Sequence, residues 1–193
     1  QIVLAGVGGQ GVLFATKLLT RTALALGLET LGSETHGMSQ RGGSVASHLK
    51  IGGFASPLVR RGNADFLFGL DPHEAYRAMD FLKSGGVCFV NCNWSEFPSR
   101  QARAYLDQHS IQVLTCDADG IALGLGMAAL ANVALIGFAS AHPAFPLARS
   151  ELRATLSRLS PQRLLSPNLR AFDAGYEFGL LAGLPHPALE AVE

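Results

Sequence analysis

Ile2-Val3-Leu4-Ala5 runs straight into Gly6-Val7-Gly8-Gly9-Gln10-Gly11, and an apolar helical pattern follows over residues 10–26. A short buried strand that ends in G-x-G-x-x-G and opens a helix is a strand–turn–helix unit suited to an anion. Glycines permit the tight turn, backbone N–H groups can approach the charge, and the helix N-terminus adds about half a positive charge. The dinucleotide-binding version also requires an acid roughly twenty residues on, at the end of the second strand. Glu29 and Glu34 both fall in range, and Glu34 is the better placed. The alternative is that the glycines serve helix–sheet packing or a subunit contact. Gln10, at the helix start, can hydrogen-bond a protein neighbour as readily as a ligand.

Outward from this unit, strands and helices alternate. Leu28 to Ser33 reads as a second strand and 34–43 as a polar, glycine-rich loop. Ser44 to Ile51 alternates apolar and polar residues, the period-two pattern of a strand with one wet face, on which His48 is expected to be solvated. Ala64 to Leu70 is a continuous apolar run that suits a central strand. It leads into Asp71-Pro72-His73-Glu74, with Asp71 as N-cap, Pro72 at N1 and Glu74 at N3 of the next helix. Strand 87–91, helix 98–109 and strand 111–116 follow. Beyond 118 the chain reads as helical: an apolar segment 127–140, a helix near 148–159, and a last helix near 168–182 capped by Asn168 after Pro167. The fold class is therefore α/β: a three-layer α/β/α Rossmann-like sandwich with a mostly parallel or mixed sheet and a helical C-terminal region. Without repeats or a linker, residues 1–193 form one domain.

Composition narrows the function. The chain is 48% hydrophobic but 16% charged, against about 25% for soluble domains in general, so part of its surface is expected to be covered by other protein. Fifteen basic and fifteen acidic residues give a formal net charge of zero, which removes the electrostatic footprint of a nucleic-acid binder and favours self-association of the isolated chain. Cys88, Cys92 and Cys116 have neither disulfide-framework nor iron–sulfur spacing and point to a reducing compartment. No uninterrupted apolar run reaches the ~20 residues of a membrane span, and no charged leader precedes the first strand, so a cytoplasmic location is expected. His109, His142 and His186 are scattered, and no metal site is expected from them.

The second informative stretch is His36-Gly37-Met38-Ser39-Gln40-Arg41-Gly42-Gly43, which should lie on the sheet edge that carries the glycine loop. Arg41 could clamp a phosphate or carboxylate there, or pair with a partner protein. In order along the chain come G-V-G-G-Q-G-V at 6–12, H-G-M-S-Q-R-G-G-S-V at 36–45, A-D-F-L-F-G-L-D-P-H-E-A at 64–75 and L-K-S-G-G-V at 82–87. A-L-A-N-V-A-L-I-G at 129–137 and N-L-R-A-F-D-A-G-Y at 168–176 follow. Together these motifs resemble the gamma-type subunit of 2-oxoacid:ferredoxin oxidoreductases, most of all the small (beta) subunits of the indolepyruvate type, over essentially the whole chain.

The resemblance implies an accessory, non-redox subunit of a complex that oxidatively decarboxylates a 2-oxoacid with coenzyme A and passes electrons to ferredoxin. Thiamine diphosphate, Mg2+ and [4Fe–4S] clusters would belong to thiamine-binding and ferredoxin-type partner subunits, with no cofactor bound tightly by this chain and no catalytic residue on it. The ligand-binding or interface loop would comprise Gly6, Gly8, Gly9, Gln10, Gly11, His36, Gln40, Arg41, Gly42 and Gly43. Asn132, in an apolar helix, needs a hydrogen-bond partner and could reach an interface. Two other readings stay open: a free-standing NAD(P)- or FAD-binding oxidoreductase, and an assembly module whose glycine loop is purely structural.

Overall fold

The computed structural model describes residues 1–36 and 42–183, with His36 described by its backbone alone. Its centre is a six-stranded sheet ordered β2-β3-β1-β4-β5-β6. The strands are β1 (Ile2–Val7), β2 (Thr30–His36), β3 (Ser44–Ile51), β4 (Ala64–Gly69), β5 (Leu82–Asn91) and β6 (Gln112–Cys116). β1, β4, β5 and β6 run parallel, whereas β3 pairs antiparallel with β1 on one side and with β2 on the other. The sheet is thus mostly parallel, with one reversed strand inside it.

Alternation sends successive side chains to opposite faces, and both faces are covered. Ile2, Leu4, Phe66, Phe68 and Phe89 join one core, with α1 (Val12–Ala25), α4 (Ala118–Gly124), α5 (Ala131–Ala139), α6 (Arg149–Leu159) and α7 (Gln162–Leu181). Val3, Ala5, Leu67, Cys88 and Val90 join the other, with α2 (Pro72–Ala78) and α3 (Arg100–Gln108). Burial on both sides explains why β1, β4 and β5 read as unbroken apolar runs. It also gives the three expected layers.

Asp71 caps α2 as expected, accepting from the backbone N–H groups of His73 and Glu74, with Pro72 beside it at the helix start. The segment 127–140 is a short 3-10 turn followed by α5, in which every residue from Asn132 to Ala139 is buried. α5 is enclosed because α7 lies hard against it. A Cβ at Gly137 would fall 2.0 Å from the Phe172 carbonyl oxygen, and one at Gly175 would fall 1.9 Å from that of Ala134. Two glycines therefore set the helix separation.

Two expectations are corrected. His48 is not on a wet face but 5% exposed, because β3 is an interior strand and the His48 ring meets Phe81 edge-on at 5.2 Å. Asn168 is not a helix cap: α7 starts six residues earlier, runs through Pro167, and leaves Asn168 buried, donating to the Ser160 hydroxyl. In the same region the exposed Arg149 and Arg153 converge on Asp173 and tie α6 to α7.

Candidate functional site

From β1 the chain crosses two positions to β2, and from β3 it crosses back over to β4, so the chain leaves the carboxyl ends of the neighbouring β1 and β4 toward opposite faces, to α1 and α2. In open α/β sheets such a switch point leaves a crevice in which ligands bind. Here it measures about 330 Å³, and Gly9, Gln10, Leu70, Asn91, Asp119 and Asn132 are among its lining residues.

The glycine loop folds tightly over the end of β1. Gly6 must lack a side chain, because a Cβ there would come within 2.9 Å of both Gln10 Oε1 and Val12 Cγ2. Gln10 is turned inward: its Oε1 accepts from the Val7 N–H at 2.7 Å, while its own N–H donates to the Val7 carbonyl. The side-chain oxygen of Gln10 is thus engaged within the loop itself. The N–H of Gly8 donates to the Gly43 carbonyl at 2.9 Å. That bond joins the two loops singled out in the sequence, because β3 begins with Ser44 opposite Val7, where β1 ends. Gly42 and Gly43 follow at the same edge, whereas Gln40 and Arg41 lie outside the described residues, as does the side chain of His36.

With the N–H groups of Val7, Gly8 and Gln10 engaged inside the protein, the loop is less of an anion cradle than its pattern suggests. What it presents is the start of α1. Gly11 is the N-cap with φ 80°, and no side-chain hydrogen bond caps the helix, so its first-turn N–H groups lack a side-chain acceptor. Asn132 stands beside it, 6% exposed, and its Nδ2 donates to the Gly11 carbonyl at 3.1 Å. Its Oδ1 is buried and accepts no hydrogen bond among the described residues.

Sequence reasoning missed the far wall of the crevice. Asn91 Nδ2 donates to the Leu70 carbonyl and its Oδ1 accepts from the Asp119 N–H, so one amide fastens the ends of β4 and β5 to the start of α4. The available signal was a lone polar residue closing the apolar run of β5.

Glu34 does not serve the crevice. β3 lies between β1 and β2, which places Glu34 two strand spacings, about 10 Å, from the β1 position on which a dinucleotide would lie. It lines a separate groove with Lys17 and Arg21 of α1. The acid that a dinucleotide site requires is therefore out of reach.

Nor does the donor set fit a cluster or a metal ion. Cys88, Cys92 and Cys116 are all buried. Burial, and secondarily the Asp117 charge, pushes the Cys116 thiol up to about 12, and burial drives Cys88 higher still. Both are held as thiols, whereas iron is ligated by thiolates. Among the described residues no group of three or more His, Cys, Asp or Glu is placed to hold a metal ion, and no helix is long and apolar enough to cross a membrane.

Residues 1–178 match the model of the pyruvate ferredoxin/flavodoxin oxidoreductase family. The chain is 34% identical over 188 residues to indolepyruvate oxidoreductase subunit IorB of Pyrococcus horikoshii, covering 91% of this chain and 93% of the relative. To the subunit of the same name in Archaeoglobus fulgidus it is 32% identical, again covering 91% and 93%. Among solved structures, the keto/oxoacid ferredoxin oxidoreductase gamma subunit of Geobacter sulfurreducens shares the fold with a TM-score of 0.71 at 22% identity, covering 93% of this chain and 98% of that one. The 2-oxoglutarate:ferredoxin oxidoreductase of Magnetococcus marinus gives a TM-score of 0.74 at 18% identity, covering 96% of this chain and 32% of that longer one. With a family model matched along nearly its whole length and full-length relatives above 30% identity, this chain belongs to the pyruvate ferredoxin/flavodoxin oxidoreductase family.

Proposed function

We infer that this chain is the small accessory subunit of a thiamine-diphosphate-dependent 2-oxoacid:ferredoxin oxidoreductase of the arylpyruvate (indolepyruvate) type, working in the cytoplasm. The observation that carries the reading is the end-to-end match to IorB subunits, which spans 93% of the relative's length. The reaction of such a complex converts a 2-oxoacid and coenzyme A to an acyl-CoA, CO2 and a proton, releasing two electrons to ferredoxin. Thiamine diphosphate with Mg2+ supplies the decarboxylation chemistry and [4Fe–4S] clusters carry the electrons, all in the partner subunits. The protonated, buried thiols of this chain support that division of labour.

The part of this chain in the complex is to shape one wall. Gly8, Gly9, Gln10, Gly11, Gly42 and Gly43, together with His36, Gln40 and Arg41, form the face that meets the thiamine-binding subunit, and the buried Gly6 supports it from beneath. Asn132 backs that face, with a spare amide oxygen for a donor brought by the partner or a ligand. The uncapped start of α1 adds a positive end beside it.

Reconstitution tests the reading. The isolated chain is expected to be inactive, and mixing it with its large subunit to give 2-oxoacid- and coenzyme-A-dependent reduction of ferredoxin or a viologen dye. Full activity from the large subunit alone would overturn it. Replacing Arg41 by alanine should lower the reconstituted rate while leaving the fold of this chain unchanged.

A further inference from the structure

Away from the crevice, α1 and the edge strand β2 enclose a groove of about 340 Å³, lined by Lys17 and Arg21 on the helix and by Gly32, Glu34 and Ser47 on the sheet. Thr16 and Thr20 also line it, and their hydroxyls are engaged by carbonyls within α1. Lys17, Arg21 and Glu34 make no ion pair among the described residues, and the Ser47 hydroxyl is fully buried without a partner. Among the described residues β2 pairs on one side only, with β3, and so presents a free edge seven residues long. Natural edge strands are usually kept short, bulged or charged against pairing. β2 has a regular register over all seven positions and carries Glu34 as its one carboxylate.

We propose that the β2 edge and this groove are a self-association surface, which takes β2 of a second copy of this chain in antiparallel register about a two-fold axis at Ser33. Two independent features select that register. Ser33 is the middle residue of β2, so centring there pairs all seven positions. The same register sets Glu34 of each copy opposite Gly32 of the other, on the face that carries α1. Residues directly opposite in a ladder share a face, and Glu34 and Gly32 lie on the α1 side with Ser47 and Leu49. Gly32 leaves that place vacant, and Lys17 and Arg21 supply the countercharge for the arriving carboxylate. Shifting the axis to Glu34 would instead oppose two carboxylates. Along α1 the exposed Leu13 and Leu24, 46% and 47% accessible, flank Lys17 and Arg21 and would face the antiparallel α1 of the second copy. The contact is isologous, so it closes on itself as a dimer. This proposal concerns the chain by itself and stands or falls independently of the reaction assigned to the complex.

The test is light scattering after size exclusion, together with sedimentation, on the full chain and on Gly32→Val, Glu34→Lys and Ser33→Cys. Gly32→Val is chosen because a Cβ at Gly32 meets only the His48 carbonyl oxygen, at an ordinary 3.6 Å, so the monomer accepts it. The wild-type chain should be a dimer. Gly32→Val and Glu34→Lys should each weaken dimerisation at least tenfold with unchanged circular dichroism, and Lys17→Glu with Arg21→Glu should restore it in the Glu34→Lys background. Ser33→Cys should cross-link to a dimer under mild oxidation. A wild-type chain that stays monomeric, a β2 edge protected from hydrogen exchange only when the large subunit is added, or a dimer indifferent to Gly32→Val and Glu34→Lys would each overturn the proposal.

Discussion

The amide of Asn132 donates to the Gly11 carbonyl across 3.1 Å, and the same nitrogen would lie 2.1 Å from any Cβ at Gly11. Helix α5 thus holds the glycine loop by a bond that only glycine admits. Gly11→Ala must adopt a left-handed backbone, at about 1–2 kcal/mol, and also displace Asn132, so a total loss of about 2–4 kcal/mol is expected in urea unfolding. Asn132→Leu removes both the bond and the unpartnered oxygen and should change stability by less than about 1.5 kcal/mol. It should nevertheless lower the activity recovered with the large subunit, which separates a role at the interface from a purely structural one.

The contact between α5 and α7 depends on Gly137 and Gly175, whose missing side chains let each backbone touch the other. Since the atoms in the way are backbone carbonyls, no rotamer change relieves the clash. Gly137→Ala and Gly175→Ala should each cost about 3 kcal/mol or more, at or above the upper end of ordinary overpacking. Chemical denaturation would register the loss as a lower midpoint.

Glu74 is 4% exposed, accepts from the Ser44 hydroxyl at 2.5 Å and pairs with Arg77. It thereby anchors the start of β3, where the second loop rejoins the sheet. Glu74→Ala should cost about 1–3 kcal/mol by removing the charge-assisted bond that holds the exposed Ser44 hydroxyl in place. Faster hydrogen exchange at residues 43–46 would locate the effect.

Burial, and secondarily the Lys50 charge, lowers the His48 pKa below its usual 6.5, and burial lowers that of His142. The folded state then binds fewer protons than the unfolded one near pH 6. Stability from these groups is full above pH 6.5 and is lost as the pH falls through their folded values. His48→Phe, which keeps a ring against Phe81, should flatten the fall in unfolding free energy between pH 7 and 5. Equal slopes for the two proteins would refute the assignment. Asp173 acts in a lower window. Burial raises its pKa, but hydrogen bonds and charge from Arg153 and Arg149 outweigh that and hold it below 3.8, so its share is lost only in stronger acid.

The buried thiols give a further check. With Cys116 held near 12 and Cys88 higher, neither should react with a disulfide reagent in the folded protein at neutral pH, and both should react once it is unfolded. Rapid labelling of either in the native state would contradict the packing of β5 and β6.

Much of this was legible in the sequence because local chemistry and tertiary position agree. The apolar runs of β1, β4 and β5 announce strands buried on both faces, and Asp71-Pro72-His73-Glu74 announces a helix start that the caps confirm. His48 was misjudged because period-two alternation reports which residues share a face and not whether that face is covered. Asn168 was misjudged because Pro167 marks a helix start only when no packed turn precedes it, and here residues 162–166 are already helical. The position of Glu34 could not be read at all. It depends on β3 entering between β1 and β2, a pairing between distant segments that no local pattern records. The two loops were read as neighbours on the expectation that both lie at carboxyl ends, but the Gly8–Gly43 bond that joins them exists only because β3 is reversed.

That reversed strand also sets a timetable. β1 finds its neighbours in Ser44–Ile51 and Ala64–Gly69, so during synthesis it has two open edges until β3 has been made and one until β4 follows. At about 5–20 residues per second, the wait from β1 to β4 lasts roughly 3–12 s. Ile2-Val3-Leu4-Ala5 is a sticky segment through that interval. The arrangement that seats both loops on one edge thus makes the amino-terminal strand dependent on protection during synthesis, and slowing translation between β1 and β4 should increase aggregation of the nascent chain.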